Sequence, residues 1–414
     1  ETALMLNNYS HRRTALSIAV SMALGASGAA VAQEEARALE EVLVTATKRT
    51  TNLQETPVAV TAISNETLVD LGITSSIDLV KVAPGLKVTW QGPFPSFKMR
   101  GGGVAGLNGA AVPLFIDSLA GGNSWAGWLD LERVEVMRGP QGTLYGKNTL
   151  GGLVNIITNK PDTEALDYGA AFTAGDYDLM KLEGFVNVPL GDSFALRFTG
   201  SKTEQDPLIE NDFNSDSGLR DEDNYYVRAQ ALWQISEAAD INVIYSKWKT
   251  DSMGNANYGY HYAGIPINPV TGRATGFSNQ IDPRKGTTGI TEQGGRTYHD
   301  EDPSANPGAK FSLNGGFDNV WESKTESIDV HANWDFGFAQ LTARGRHTES
   351  KNLNMWDLDA NPGYPGVADG NYDESTSDQV DIVLNSNSDG HFRWGLGLYW
   401  ADAWDPDENN GTYL

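Results

Sequence analysis

After Tyr168, apolar and polar residues alternate in repeated runs of about ten positions. In one such run, Val227 and Ala229 alternate with Arg228 and Gln230. A period of two puts successive side chains on opposite faces of a β-strand, so each run predicts a strand with one apolar and one polar face. The nine predicted strands are 168–176, 179–190, 194–204, 224–235, 240–250, 324–335, 339–350, 377–387 and 391–401.

The connections between these strands differ in length according to the side of the sheet on which they lie. The tight turns are 191–193, 236–239, 336–338 and 388–390. The long polar connections are 205–223, 251–323 and 351–376. Apart from the first, which is short, every connection on one side is long, as in an outer-membrane β-barrel with short periplasmic turns and long extracellular loops. Alternation alone would also suit a soluble sandwich, but a sandwich has no reason to sort its loops in this way.

Between residues 53 and 163 the pattern is different, with short strand-like and helix-like segments separated by glycine-rich loops. Serines are expected to cap both helices, Ser64 the first and Ser75 or Ser76 the second. The predicted strands are 59–63, 114–116, 134–137 and 153–158, and the predicted helices are 66–71 and 77–82. The predicted fold class is therefore an α+β domain followed by an all-β transmembrane antiparallel barrel.

The first 32 residues have the pattern of a secretory signal peptide. Basic residues at 11–13 precede a short apolar run at 15–24, and the small residues at 30–32 suit a cleavage site. We expect Met5 to be the initiator and the mature chain to be exported. No other apolar run reaches the roughly eighteen residues of a membrane-spanning helix. A membrane span would therefore have to be made by strands.

Composition limits the chemistry that the chain can perform. The formal net charge is −24, and the chain has no cysteine. The negative charge argues against nucleic acid as a partner, because phosphate binding requires concentrated lysine and arginine. Without cysteine there can be no disulfide, thiol catalysis or cysteine-ligated metal. Paired carboxylates, a serine–histidine pair and metal-spaced histidines are not evident in the sequence, so we predict no enzyme, no metal site and no cofactor.

Three segments of the chain carry a resemblance to one receptor family. The first resembles a TonB box and consists of Glu41, Val42, Leu43, Val44, Thr45 and Ala46. An exposed, β-prone peptide of this kind can add as a strand to a partner's sheet. The second segment, 98–102, resembles the family's arginine–glycine motif, and the third, 131–158, closely follows its plug signature. The chain is thus similar to the TonB-dependent outer-membrane receptors, and to siderophore receptors in particular.

This resemblance implies a division of the chain. The implied domains are a signal peptide at 1–32, a TonB box and linker at 33–52, a plug at 53–163 and a partial barrel at 164–414. A family barrel has about 22 strands. The nine or so strands present here are an odd number and leave an unpaired edge, which lipid does not tolerate. We therefore expect the sequence to be the N-terminal part of a longer chain.

The resemblance also implies an activity, which is energised uptake of a scarce nutrient across the outer membrane. A ferric siderophore is the favoured ligand, while an oligosaccharide, vitamin B12, haem or another bulky nutrient stays open. The implied partners are the TonB energy-coupling protein of the inner membrane, outer-membrane lipid and the ligand, with the receptor itself a monomer. A secreted β-sandwich adhesin is a distant alternative that would need neither a plug nor a TonB box.

Two arginines of the plug segment are candidate latches. Arg100 and Arg138 are each followed by glycine, which lets the backbone approach a neighbour closely. By resemblance we expect them to reach carboxylates of the barrel wall as ion pairs, whose strength depends on geometry and desolvation. The alternative is that they pair with acids inside the plug.

Aromatic residues on loops are candidate ligand contacts. Those on plug loops expected to face outward are Trp90, Phe94, Phe97, Trp125 and Trp128. Exposed rings on glycine-rich loops suit stacking against flat or hydrophobic ligands, although each could instead pack against the barrel wall. A weaker set on the long connection is Tyr258, Tyr260, His261 and Tyr262. Ligation of haem iron by that set is a minor alternative to simple solvation.

Overall fold

The computed structural model describes residues 43–49, 51–91, 94–100, 112–121, 128–146, 148–211, 218–219, 221–252, 312–313, 320–357, 368–388 and 392–404. The expected signal peptide, Glu41, Val42, Trp125 and the aromatic set at 258–262 lie outside these residues. Among the described residues, no helix is long and apolar enough to cross a membrane.

An α+β domain occupies the N-terminal part of the described chain. Its strands are β1 Leu43–Val44, β2 Thr51–Asn52, β3 Val60–Ser64, β4 Leu86–Gln91, β5 Phe94–Met99, β6 Leu114–Ile116, β7 Leu119–Ala120, β8 Leu131–Arg138 and β9 Gly152–Thr158. Its helices are α1 Asn65–Asp70, a 3-10 helix at Ser76–Lys81 and α2 Gly142–Tyr145. Within the described residues, five of the strands form one sheet in the order β3-β8-β9-β6-β7. The buried strand β8 lies between β3 and β9, antiparallel to both.

Local side-chain bonds decide how the two predicted helices form. The Ser64 hydroxyl accepts a hydrogen bond from the Thr67 N–H at 3.3 Å, so the predicted cap of α1 is confirmed. Ser75 instead donates its hydroxyl proton to the Asp78 carboxylate at 2.9 Å and makes no cap bond to the backbone. The second helix is accordingly a single 3-10 segment. Sequence analysis also missed the β4–β5 hairpin, because prolines such as Pro95 suggest a loop.

The C-terminal part of the described chain is a large antiparallel sheet. In chain order its strands and those of a small neighbouring sheet are β10 Asp167–Ala174, β11 Met180–Pro189, β12 Phe194–Gln205, β13 Ile209–Asn211, β14 Gly218–Leu219, β15 Glu222–Ser236, β16 Ala239–Ser252, β17 Ser312–Leu313, β18 Val320–Asp335, β19 Ala339–Asp357, β20 Ala368–Ser386 and β21 Gly395–Trp404. Among the described residues, nine strands pair in the order β10-β11-β12-β15-β16-β18-β19-β20-β21. The nine predicted strands are therefore confirmed.

Several of these strands extend further toward the long connections than the sequence predicted. β19 was predicted to end at 350 and continues to Asp357, and β20 was predicted to begin at 377 and begins at Ala368. The apolar alternation stops where charged residues such as Lys351 and Glu374 replace apolar ones, although the two strands stay paired there. The register is antiparallel throughout, so neighbouring strands turn from apolar to charged at about the same height.

The two faces of the nine-stranded sheet have opposite chemistry. One face is apolar and exposed, for example at Phe198, Val227, Val243, Ile328, Val330 and Leu398. The other is polar and buried, for example at Arg197, Arg228, Gln230, Asn242, Asp329 and Arg346. This is the reverse of a soluble sheet, which buries its apolar face. The buried polar face is the one that contacts the α+β domain.

Candidate functional site

The α+β domain meets the sheet at a buried carboxylate, Asp130, which lies just before β8. Arg197 of β12 donates from Nε at 2.7 Å and from Nη2 at 2.5 Å to its two oxygens. Thr199 donates its hydroxyl at 2.7 Å, and Arg228 of β15 donates Nη2 at 3.2 Å to the carboxylate and at 2.9 Å to the Asp130 main-chain oxygen. Asn159 of the α+β domain completes the shell at 2.8 Å. One carboxylate thus joins two strands of the sheet to the domain.

The electrostatics of this cluster favour the ionised carboxylate. Burial by itself would raise the pKa of Asp130, but the hydrogen bonds from Arg197 and the charge of Arg228 outweigh it and hold that pKa below its ordinary value. The side chain of Asp130 is fully buried, and those of Arg197 and Arg228 are nearly so. Bidentate arginine–carboxylate bonds of this kind combine strength with fixed geometry.

A second contact holds the β6–β7 hairpin. Arg346 of β19 forms a bidentate pair with Asp329 of β18, at 2.8 and 2.5 Å, and its remaining protons point to main-chain oxygens of Ile116 and Ala120 at 3.3 and 3.4 Å. Gln379 of β20 accepts from the Ala120 N–H at 2.9 Å and donates to the Ala120 carbonyl at 2.7 Å. The sheet therefore binds this hairpin through main-chain atoms. These contacts do not depend on which side chain stands at position 120.

A third contact fixes the segment after β1. Lys48 donates to Asp381 of β20 at 2.9 Å and to the Ser118 carbonyl at 3.3 Å. Burial lowers the pKa of Lys48, although the charge of Asp381 opposes that shift. Arg49 donates to the Asn385 side chain at 2.9 Å, and the Asn385 amide donates to the Lys48 carbonyl at 2.9 Å. These partners lie at the end of β20 that leads into a tight turn, so the segment lies at the tight-turn end of the sheet.

The rest of this segment is buried in the α+β domain. The side chains of Val44 and Ala46 are inaccessible to solvent, whereas Leu43 is 46% exposed. They join an apolar cluster made by Phe115, Met137, Tyr145 and Leu153. The exposure expected for the TonB-box-like residues is therefore wrong for Val44 and Ala46, because alternate side chains of the segment insert into this core.

A cavity of about 80 Å³ lies between the hairpin and the sheet. Ile116 and Gly121 line it on one side, and hydroxyls of the sheet, Ser246, Ser327 and Thr348, line it on the other. A cavity of this size is large enough to hold water. Tyr226, Ile244 and Trp248 also line it, so its surface is mainly apolar with a few hydroxyl groups.

The two arginines predicted as latches lie elsewhere. Arg138 donates to the Thr61 hydroxyl, inside the α+β domain. Arg100 is exposed, and one of its guanidinium nitrogens lies 3.1 Å from the position that a Cβ on Gly139 would occupy. Within the described residues, neither arginine contacts a carboxylate of the sheet, so their role as latches stays a prediction. Sequence reasoning placed the arginines on the domain and the acids on the wall, whereas at Asp130 the structure has the opposite arrangement.

Of the predicted aromatic contacts on the plug, Phe97 and Trp128 have side chains that the structure describes. Phe97 is buried in the core of the α+β domain, so its predicted exposure is wrong. Trp128 packs against the same core, and its indole N–H has no hydrogen-bond partner among the described residues. Trp90 and Phe94 belong to the β4–β5 hairpin rather than to a loop. The alternation Phe97–Met99 within a strand was the signal that could have indicated burial.

Comparison with known proteins connects this arrangement to a family. Residues 52–153 match the family described as the TonB-dependent Receptor Plug Domain. This match identifies residues 52–153 as a plug domain of the TonB-dependent receptor family. In the terms of that family the α+β domain is the plug, and the nine-stranded sheet is part of the barrel, whose polar face is the inner wall. The expected fold class, a plug followed by an antiparallel barrel that is incomplete here, is confirmed.

Individual relatives support the same assignment. The iron-regulated outer membrane virulence protein of Vibrio cholerae is 30% identical over 207 residues, which is 46% of this chain and 32% of that protein. A vitamin B12 transporter of Vibrio vulnificus is 26% identical over 249 residues, 55% of this chain and 38% of that protein. The structure of the ferric yersiniabactin uptake receptor of Yersinia pestis has a TM-score of 0.63 at 18% identity, over 84% of this chain and 48% of that one. The matched part thus spans less than half of each of these relatives.

Proposed function

We propose that the chain is part of an outer-membrane transporter that takes up a scarce nutrient with energy supplied from the inner membrane. The observation that carries the proposal is the polar interface between plug and barrel wall, centred on Asp130 and Arg346. Hydrogen bonds to water can replace such contacts, so a plug held in this way can be displaced without exposing an apolar surface. Uptake through the barrel requires the plug to be displaced, whereas catalysis by an enzyme would not require it.

The outer surface of the sheet supports the location in the outer membrane. Its exposed apolar face would be unfavourable in water but suits contact with lipid. At the tight-turn end, Trp334 stacks on Phe336 at 5.9 Å, and Phe336 stacks on Phe338 at 6.2 Å, all on exposed side chains. Aromatic rings at that height suit the boundary between lipid and water. The tight-turn side is then the periplasmic side.

Residues 41–46 are proposed as the TonB box, which would pair with the energy-coupling protein of the inner membrane. The contacts of Lys48 with Asp381 and of Arg49 with Asn385 support this proposal, because they lie at the tight-turn end of the wall, which is the proposed periplasmic side. Arg100 and Arg138 are proposed as further latches, and Trp90, Phe94 and Trp125 as ligand contacts at the plug apex. The domain boundaries, the signal peptide and a monomeric state are proposed with them.

A ferric siderophore is the proposed ligand. The support is that one relative is described as iron-regulated and that the solved neighbour takes up ferric yersiniabactin. Vitamin B12 is the second candidate, favoured by the transporter whose match covers 55% of this chain. Among the described residues, no group of three or more histidine, aspartate or glutamate side chains lies close enough together to hold a metal ion.

The test is growth and uptake under iron limitation, with the complete gene present or deleted. We expect the deletion to reduce growth, and one ferric siderophore to support growth only when the gene is present. In the same cells Val44→Pro should abolish energised uptake and leave ligand binding at the surface, because proline cannot donate to a partner strand. Normal iron uptake after deletion, together with loss of vitamin B12 uptake, would replace the siderophore by the second candidate.

A further inference from the structure

Thr45 is held at both polar groups of its main chain. Its N–H donates to Glu135 Oε1 at 2.8 Å, and its hydroxyl contacts both oxygens of that carboxylate at 3.2 and 3.1 Å. Its carbonyl accepts from the Tyr145 hydroxyl at 3.1 Å. A strand that is to join a partner's sheet must offer these same N–H and C=O groups. In the observed conformation, Thr45 has none left to offer.

Glu135 is well suited to hold this position. Its side chain is completely buried in the middle of β8, and Arg133 Nε donates to the same Oε1 at 2.9 Å. A hydrogen bond from a main-chain N–H to an ionised carboxylate is stronger than one between neutral groups. Withdrawal of Thr45 would leave part of a buried carboxylate without its partner, which is unfavourable. The held state is therefore the default state of the plug.

We propose that Glu135 and Tyr145 are positioning residues that form a clamp on Thr45 and set how often residues 43–49 become free to pair with the energy-coupling partner. This inference rests on the proposed function of that segment as the site of coupling. The clamp acts on the main chain, so it controls pairing whatever side chains the partner reads. Tyr145 also carries Lys48 above its ring, at 4.5 Å, which brings the clamp and the wall contact of the segment together.

Two short connections join the clamp to the barrel wall. Strand β8 carries Glu135 in its middle and begins directly after Asp130, which the wall arginines hold. Asn155, which faces Glu135 on β9, accepts from the Ser118 N–H at 3.0 Å, in the hairpin that Arg346 holds. A displacement at either wall contact therefore moves one side of the clamp. Thr45 itself stays close to the wall through Lys48, so the two parts of the clamp can be drawn apart.

The experiment measures how often the segment opens, by the rate at which a buried cysteine is labelled. The 414 residues contain no cysteine, so Ala46→Cys in the complete receptor, with any cysteine outside them replaced by serine, gives a single probe in isolated outer membranes. No ligand or coupling protein is added. Tyr145→Phe removes one hydrogen bond and should raise the labelling rate about five-fold. Glu135→Gln removes the charge and should raise it on the order of ten-fold.

The controls separate a clamp from a general loosening of the plug. Ala83→Cys reports on the other apolar cluster, and its labelling should not change in either variant. Glu66→Gln, on an exposed side chain of α1, should leave both probes unchanged. Equal acceleration at Ala46→Cys and Ala83→Cys, or no acceleration at either, would overturn the clamp. Because labelling needs no transport, a receptor that shows the expected labelling but takes up no nutrient would contradict the proposed function alone.

Discussion

The interior of the plug and its outer surface are held by opposite chemistry. Inside, Leu79, Val136 and Ile156 pack in an apolar cluster that excludes water. Outside, charged and amide groups such as Asp130 and Gln379 contact the wall through hydrogen bonds. Both regions are buried, so exposure alone does not distinguish them. The two regions differ in the chemistry of their side chains, which are apolar in the core and polar or charged at the wall.

This difference separates two properties of the plug: its cohesion, which is the stability of its own core, and its attachment, which is the strength of its contact with the barrel wall. Apolar packing loses its whole free energy when the surfaces part, because water cannot replace it. A hydrogen bond loses little when water takes the partner's place, but much when one partner is left buried alone. A force on the plug should therefore act first at the wall contacts, where water can enter, while the core stays intact. The plug can move as a unit without unfolding.

The largest expected effect comes from leaving the wall arginines without their acid. Asp130→Ala removes the shared partner of Arg197 and Arg228, both nearly fully buried. Breaking a buried ion pair by removing one partner costs about 3–5 kcal/mol. We expect that loss in the urea-induced release of the plug from the complete receptor in detergent, followed by protease sensitivity. Asp176→Ala, on an exposed loop, is the control, and an effect equal to that control would break the comparison.

The next effect concerns the plug core. Leu79→Ala removes a fully buried side chain of the 3-10 helix and should destabilise the plug itself by about 2–5 kcal/mol. Its neighbour Val80 is 39% exposed, so Val80→Ala is the matched control. The measurement is labelling of Ala83→Cys against urea concentration. If Leu79→Ala released the plug intact from the wall, without exposing this probe, the separation between cohesion and attachment would be wrong.

The smallest effect is the dependence of the wall contact on pH. The pKa of Asp130 is lower in the folded state than in the unfolded chain, so its stabilisation is fully present above the ordinary value of about 4. It is lost as the pH falls through the lower folded-state value. The stability difference between the wild type and Asp130→Asn should therefore be constant from about pH 5 to pH 7 and shrink below about pH 4. A difference that does not begin to shrink as the pH falls below about 4 would mean that charge does not carry the contact.

The period of two predicted every strand of the large sheet, because a wall with one apolar face leaves a strong pattern. It could not give the ends of β19 and β20 near the long connection, where charged residues such as Lys351 and Glu374 replace apolar ones. In the plug, Ser64 gave the start of α1 correctly, since capping is local. The β4–β5 hairpin was missed because its prolines suggested a loop.

The wall contacts themselves could not be assigned from the sequence. Arg197 and Arg228 were visible as polar residues of predicted strands, but so were their many polar neighbours. Asp130 lies between Leu129 and Leu131, and an acid inside an apolar run was a usable signal that its charge is compensated. Which arginine compensates it depends on the register of the plug against the wall. A local sequence pattern contains no information about which residues far apart in the chain come into contact.

The backbone at Asp130 has φ +57°, a conformation that most side chains avoid. Aspartate, asparagine and glycine tolerate it best. Asparagine and glycine would therefore fit the backbone at this position, but either would remove the negative charge. A change to glycine would relax the main chain and, in the same step, leave Arg197 and Arg228 buried without their acid. The backbone and the ion pairs thus constrain the same position, and a variant that loses the charge would be expected to lose both arginines as well.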